Sequence, residues 1–243
     1  LWFEFCGKGN DRTFRGSETT RVINSVNAEM NKLVTRLTIP SAVFLELSHQ
    51  IVSRLGTPCH AENDFIKILE TLIQRLMKDH PHHVLYQIQA LTRGDRVERA
   101  GDFRTSSEKI AAAKRLLENY GAGSNACKQL LVQMDRIIEA YIHVAALKLP
   151  ESNEPIYIHS LPTEVKKRSL NNLKLIPVLT APLLVDPTCE YRDGSFPYFA
   201  HFGEFTKLVG GINQPKLLEC HGSDGRIYRQ LAKSGNDDLR QDA

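Results

Sequence analysis

From Ser17 to about Leu149 the apolar residues return every three or four positions, as in Val22, Val26, Met30, Leu33 and Leu37 and again in Phe44, Leu47, Ile51 and Leu55; beyond Pro177 that period is lost. A period near 3.6 lays one apolar stripe along a helix, whereas a half-buried strand needs a period of two. The first part of the chain is therefore expected to be all helix and the last part to be sheet. Further helices are expected at about 62–78, 81–93, 105–120 and 124–148. Pro40 suits a first turn, Gly56 can close a helix in the left-handed conformation, and Thr105 with Glu108 has the spacing of a capping box. Each helix is short, amphipathic and followed by a brief polar link, so neighbours should pair antiparallel and stack like a solenoid.

The stretch 150–177 holds Pro150, Pro155, Pro162 and Pro177 and the basic run Lys166, Lys167 and Arg168, which reads as a linker or crossing segment. Strands are expected at 178–185, about 198–208, 214–221 and 226–233, with Ser223-Asp224-Gly225 as a hairpin turn between the last two. Asp237 and Asp238 then open a helix. The expected fold class is α+β, a solenoid-like helical segment over 1–150, a link over 151–177 and an antiparallel sheet within 178–243.

Composition excludes several classes. With 42% hydrophobic and 24% charged residues the chain is an ordinary globular one, and its net charge of +3 with dispersed Lys and Arg makes no case for nucleic-acid binding. The five cysteines, Cys6, Cys59, Cys127, Cys189 and Cys220, form no Cys-x-x-Cys pair and suit neither a disulfide framework nor a zinc module. The most apolar segment, 175–185, is broken by Pro177 and Pro182 and falls short of the roughly 20 residues that span a bilayer, so a soluble protein without a membrane partner is expected. His80, His82 and His83 invite a metal reading, but no Cys or carboxylate set accompanies them and Asp79-His80-Pro81 reads as a cap followed by a first-turn proline. No metal site is expected there. The first residues lack an initiator Met and the last, Asp-Leu-Arg-Gln-Asp-Ala, are equally abrupt, so the chain is expected to be a piece of a longer protein.

The strongest chemical signal is Leu231-Ala232-Lys233-Ser234-Gly235-Asn236-Asp237-Asp238-Leu239-Arg240-Gln241-Asp242. A lysine at the end of a strand can hold a fixed positive charge against nucleotide phosphates when a carboxylate orients it. Lys233 is that candidate, with Asp237 ranked ahead of Asp238 as its partner; the residues leave the choice between them open. Upstream, Leu208-Val209-Gly210-Gly211-Ile212-Asn213-Gln214-Pro215-Lys216 joins two strands, and its two glycines would let the backbone approach phosphates closely.

The C-terminal string resembles the first signature of the phosphatidylinositol 3- and 4-kinase superfamily, and the glycine loop resembles the loop that covers ATP there. Asp186 to Tyr191, Phe205 to Lys216, and Gly222-Ser223-Asp224-Gly225 with Arg229-Gln230-Leu231 look like the kinase N-lobe of the ATM type of phosphatidylinositol-3-kinase-related protein kinases, the fungal telomere-maintenance kinases included. Asp79-His80-Pro81-His82-His83 and the helix after it resemble the end of the helical FAT domain. The resemblance implies ATP contacts at Lys233, Asp237, Leu231 and Asp242, and around the loop at Leu208, Gly210, Gly211, Pro215 and Lys216. It further implies a nuclear serine/threonine kinase of DNA-damage and telomere signalling that uses ATP and Mg2+ and phosphorylates Ser or Thr before Gln. Its partners would be protein substrates and DNA-break sensor complexes, with a homodimer in the parent protein. The family's catalytic-loop Asp-Arg-His with its Asn, and its magnesium-binding motif, are not found in the 243 residues, so this piece alone is expected to be inactive and to supply no catalytic residue. The competing expectations are a non-catalytic pseudokinase scaffold, which would not need Lys233, and a lipid kinase, whose helical domain differs.

Overall fold

The computed structural model describes residues 2–3, 17–36, 39–57, 64–94, 105–148, 157–163, 165, 170, 173–192, 194–209 and 215–233. Among them six α-helices precede a four-stranded antiparallel sheet. The helices are α1 (Ser17–Thr35), α2 (Ser48–Ser53, continuing a 3-10 helix Ser41–Leu47), α3 (Phe65–Asp79), α4 (Pro81–Thr92), α5 (Ser107–Gly123) and α6 (Asn125–Ala146). The strands β1 (Tyr157–Ser160), β2 (Phe199–Leu208), β3 (Lys216–Gly222) and β4 (Ile227–Ala232) lie in the order of the chain. The α+β expectation, helical array first and antiparallel sheet after, holds. The chain divides into two compact units, Leu1–Ser124 with Val185–Glu190, and Asn125–Leu184 with Tyr191–Ala243.

The helical unit is organised by α3. Its apolar residues Phe65, Ile68, Leu69, Leu72, Ile73, Leu76 and Met77 follow the 3.6 period and are all buried, each burial worth roughly 1.5–3 kcal/mol. α4 begins with Pro81 in its first turn and buries Val84, Leu85 and Ile88. On α1 the inward stripe is Ile23, Asn27 and Val34, and the expected Val22 and Leu33 are exposed. The stripe is turned by one residue because Asn27 accepts a hydrogen bond from the Trp2 indole N–H at 2.9 Å, which lets a polar side chain take an interior place. Arg75 donates to the carbonyls of Val34 (3.0 Å), Arg36 (3.3 Å) and Ile39, tying α3 to the end of α1 and the residues after it.

Gly56 has φ of +65°, the left-handed conformation expected of it, and a Cβ there would lie 2.5 Å from the backbone nitrogen of Lys109. The cap of α5 differs from expectation: Ser106, not Thr105, accepts from the Lys109 N–H at 3.3 Å. Asp79 does not cap α4 either. It ends α3 and accepts from the Ser41 hydroxyl at 2.6 Å, while the Nε2 of buried His80 lies 3.1 Å from the same hydroxyl. Burial pushes the His80 imidazole below its usual pKa. The Cys189 Sγ, in the left-handed region at φ 63°, approaches His80 Nε2 at 3.7 Å. No group of three metal-ligating side chains occurs among the described residues.

In the sheet unit β2, β3 and β4 follow the expected strand segments closely, and Gly225, with φ of +76°, turns the β3–β4 hairpin. The segment 178–185 is not a strand. Pro182 within it and Pro177 just before it lack ladder donors, and the bridge recorded there pairs Pro177 with Tyr198. β1 arises instead from the proline-rich stretch before it, which also buries Leu161, Val165, Leu170, Leu173 and Ile176. β2 carries two register irregularities against β3, between Phe199 and His201 and between Phe202 and Thr206. They allow Phe199 and Thr206, an odd number of residues apart, both to be buried.

Candidate functional site

Strand alternation gives the β2–β4 sheet two unlike faces. On one, Thr206, Leu218, Cys220 and Gln230 are buried. The Tyr141 hydroxyl of α6 donates to Gln230 Oε1 at 2.6 Å, and the Gln230 amide donates to Thr180 Oγ1 at 3.2 Å. Burial pushes the Cys220 thiol up to about 12, so it stays protonated and inert. Lys216 lies on this face at 2% exposure, and its ammonium donates to the Ala145 carbonyl at 2.8 Å. That carbonyl belongs to the last turn of α6, where acceptors are unpaired and the helix dipole favours a cation. Burial lowers the pKa of the lysine. The sequence placed Lys216 with the glycine loop, and its side chain is held by α6 instead.

The other face is open. The cross-strand row Lys207, Leu217, Leu231 runs over three strands, and Phe205 (54% exposed), Val209 (41%), Ile227 (54%) and Leu231 (49%) leave apolar surface uncovered. Lys233 follows β4 and is exposed. Because Ala232 pairs with Lys216, the register carries Lys233 opposite position 215. There the Val209 N–H donates to the Pro215 carbonyl at 2.8 Å and closes the connection between β2 and β3. The base of the glycine loop and the strand-end lysine are thus neighbours, with Leu231 two residues back on the side of the sheet that alternation assigns to Lys233. Leu208 is half-buried and pairs with Lys216.

Gly210, Gly211, Asp237, Asp238 and Asp242 lie outside the described residues. Phe205, Val209 and Leu217 were not singled out from the sequence. Counting by twos back from Lys233 finds Leu231 and Ile227, but the irregularities in β2 defeat the same count there. Chemically, the open face offers an apolar platform for a flat ring with an ammonium at its edge.

The family described as "Serine/threonine-protein kinase ATR-like, HEAT repeats" matches residues 25–138. A serine/threonine-protein kinase ATM of Arabidopsis thaliana is 39% identical over 88% of the chain, and a serine-protein kinase ATM of Sus scrofa is 33% identical over 98%. The chain spans 6% and 8% of the length of these two relatives. Among solved structures, the FAT and kinase domain of CtTel1 superposes with a TM-score of 0.67 at 26% identity, covering 84% of this chain and 14% of that one. The complete CtTel1 dimer with C2 symmetry superposes equally well, covering 84% of this chain and 7% of that one. A helical array followed by an antiparallel sheet is therefore the architecture of a FAT and kinase region. The chain belongs to the ATM/Tel1 family of phosphatidylinositol-3-kinase-related protein kinases.

Proposed function

We propose that the chain is part of an ATP-dependent serine/threonine protein kinase, with its helices from the end of the FAT domain and residues 178–243 from the kinase N-lobe. The observation that carries the reading is the register that sets exposed Lys233 beside the base of the glycine loop, at the edge of an open apolar sheet face. An adenine needs apolar surface and its phosphates need a fixed cation, and the residues present fit both needs. Leu231, with Pro215 at the base of the loop, would hold the adenine, while Leu208, paired with Lys216 on the closed face, would support the loop from behind. Gly210 and Gly211 would let the loop approach the phosphates, and Lys233, oriented by Asp237 or Asp238, would bind them. Asp242 completes the sequence set. Lys216 contributes from behind, by fixing β3 to α6.

ATP and Mg2+ would serve the complete parent enzyme, whose magnesium ligands and catalytic base belong to motifs not found in these 243 residues. These residues alone would be inactive. The parent would act in the nucleus on Ser/Thr-Gln sites in DNA-damage and telomere signalling, recruited by DNA-break sensors, and would form a homodimer. Those roles rest on family membership.

The test is Lys233→Met in the full-length parent. Methionine keeps the apolar stem and removes the charge, so turnover should fall by roughly a hundredfold or more with thermal stability unchanged. Lys216→Met should leave ATP affinity intact and lower stability by about 1 kcal/mol. Near-wild-type turnover in Lys233→Met would refute the assignment. A larger loss in Asp238→Ala than in Asp237→Ala would identify Asp238 as the lysine's partner.

A further inference from the structure

At the hairpin end of the sheet, away from Lys233, β2 and β3 hold two histidines side by side. His201 and His221 are register partners, and their rings stack with centroids 4.3 Å apart and planes at 11°. The pairing depends on the first irregularity in β2. Between Phe199 opposite Gly222 and His201 opposite His221, β2 advances two residues where β3 advances one, so His201 stands where Ala200 would otherwise lie. His221 belongs to the half-buried row of β3 that alternates with buried Leu218 and Cys220, and His201 is exposed. Both rings therefore lie on the open face.

Two imidazoles held on neighbouring strands form a chelate. On a tetrahedral ion with bonds of about 2.0–2.1 Å, two ligand nitrogens lie about 3.3 Å apart. Rings with centroids 4.3 Å apart meet that spacing by pivoting about their Cβ–Cγ bonds until their lone pairs converge. Because the strands already place the pair, little side-chain freedom is left to lose on binding. The neighbouring Glu219 is paired across the sheet with Arg229, so charge alone does not draw a hard cation to this end. Imidazole suits zinc, copper and nickel, whereas Mg2+ takes oxygen ligands. Among the described residues no third metal-ligating side chain closes the site, which leaves the remaining positions of the ion to water. We propose that His201 and His221 bind a divalent transition cation of the zinc type and so clamp β2 to β3. The clamp falls on the pairs His201–His221 and Phe202–Cys220, where the ladder is interrupted on both sides by the irregularities of β2.

The experiment titrates the isotope-labelled 243-residue chain with zinc chloride and, separately, with magnesium chloride, following the histidine ring signals. One Zn2+ per chain should shift the His201 and His221 signals saturably, EDTA should reverse the shift, and Mg2+ should produce none. His201→Gln and His221→Gln should each weaken binding by at least the roughly tenfold that loss of even an outer-shell partner costs a metal site. His49→Gln, at an exposed position of α2, should leave it unchanged. His221→Cys supplies a zinc ligand at the same place and should recover binding, which separates a lost ligand from a damaged fold. Amide hydrogen exchange at 201–202 and 220–221 should slow with Zn2+ in the wild-type chain and not in the glutamine variants. Equal affinity in the wild type and His201→Gln, shifts confined to His80, His82 and His83, or an equal response to Mg2+ would overturn the site. Unchanged exchange at saturating Zn2+ would overturn the clamp.

Discussion

The helical unit and the sheet unit bury their apolar residues differently. In the helical unit α3 alone hides seven apolar side chains, and interior Ser41 and Asn27 are tied to Asp79 and Trp2. The sheet closes one face with Lys216, Gln230 and Tyr141 of α6 and leaves Phe205, Val209, Ile227 and Leu231 exposed on the other. A closed core spends its apolar residues on stability. The open face leaves its apolar residues in contact with solvent, where they add little to the core.

The largest expected effect breaks that comparison directly. Phe65→Ala should destabilise the helical unit by about 3–5 kcal/mol, because it opens a cavity where Phe65 is fully buried under Trp2. Leu231→Ala removes an equally apolar side chain from the open face and should change stability by less than about 0.5 kcal/mol. In the parent kinase the same Leu231→Ala should weaken ATP binding. Urea unfolding followed by the fluorescence of Trp2, the single tryptophan, reads the helical unit, and circular dichroism reads the sheet. Comparable losses at the two sites would mean that the open face is structural.

The units also differ in how far the sequence revealed them. α3 and α4 were legible because an unbroken 3.6 period and a first-turn proline act locally. β1 was not, being four residues between Pro155 and Pro162 whose pairing with Phe205 to Leu208 is nonlocal. The apolar run at 178–185 misled in the other direction, since hydrophobicity marks burial without specifying a strand. At the candidate site, the position of Lys233 at the end of β4 could be read from the strand pattern. The partner of Lys216 could not: Ala145 lies 71 residues away, on a helix whose end no local pattern connects with β3.

Acid should sharpen the contrast next. Burial holds His82 at about 4 and lowers His80 from 6.5. His80 is faced by Asp79, Asp186, Arg75 and His83, and His82 by His83, with burial the leading cause for both. Above pH 6.5 folded and unfolded chains are both neutral at these sites. As pH falls below 6.5 the unfolded chain takes up protons that the folded one refuses, so stability is lost down to about pH 4. For His82 alone the loss is about 2–3 kcal/mol. Urea midpoints reported by Trp2 at pH 7.5, 5.5 and 4.5 should fall more steeply in the wild-type chain than in His82→Gln. Parallel curves would remove His82 from the account.

The smallest effect tests the start of α5, where one residue separates the sequence expectation from the structure. A helix start leaves N–H groups without intrahelical acceptors, and a serine or threonine at the cap supplies one. Thr105 and Glu108 have the spacing of a capping box, yet Ser106 receives the Lys109 N–H and the helix begins at Ser107. The Glu108 carboxyl still takes part, its pKa lowered by hydrogen bonds from its own backbone and from Ser106 and Ser107. The register matters beyond the cap, because Gly56 closes on Lys109 and the Lys109 ammonium donates to the Ser53 carbonyl at 2.8 Å. A start shifted by one residue would turn Lys109 away from the end of α2. Ser106→Ala should therefore cost about 1 kcal/mol in the transition reported by Trp2, and Thr105→Ala less than about 0.5 kcal/mol. The sheet signal should not move in either variant. A larger loss in Thr105→Ala than in Ser106→Ala would restore the capping box as the sequence spells it and shift the start of α5 by one residue.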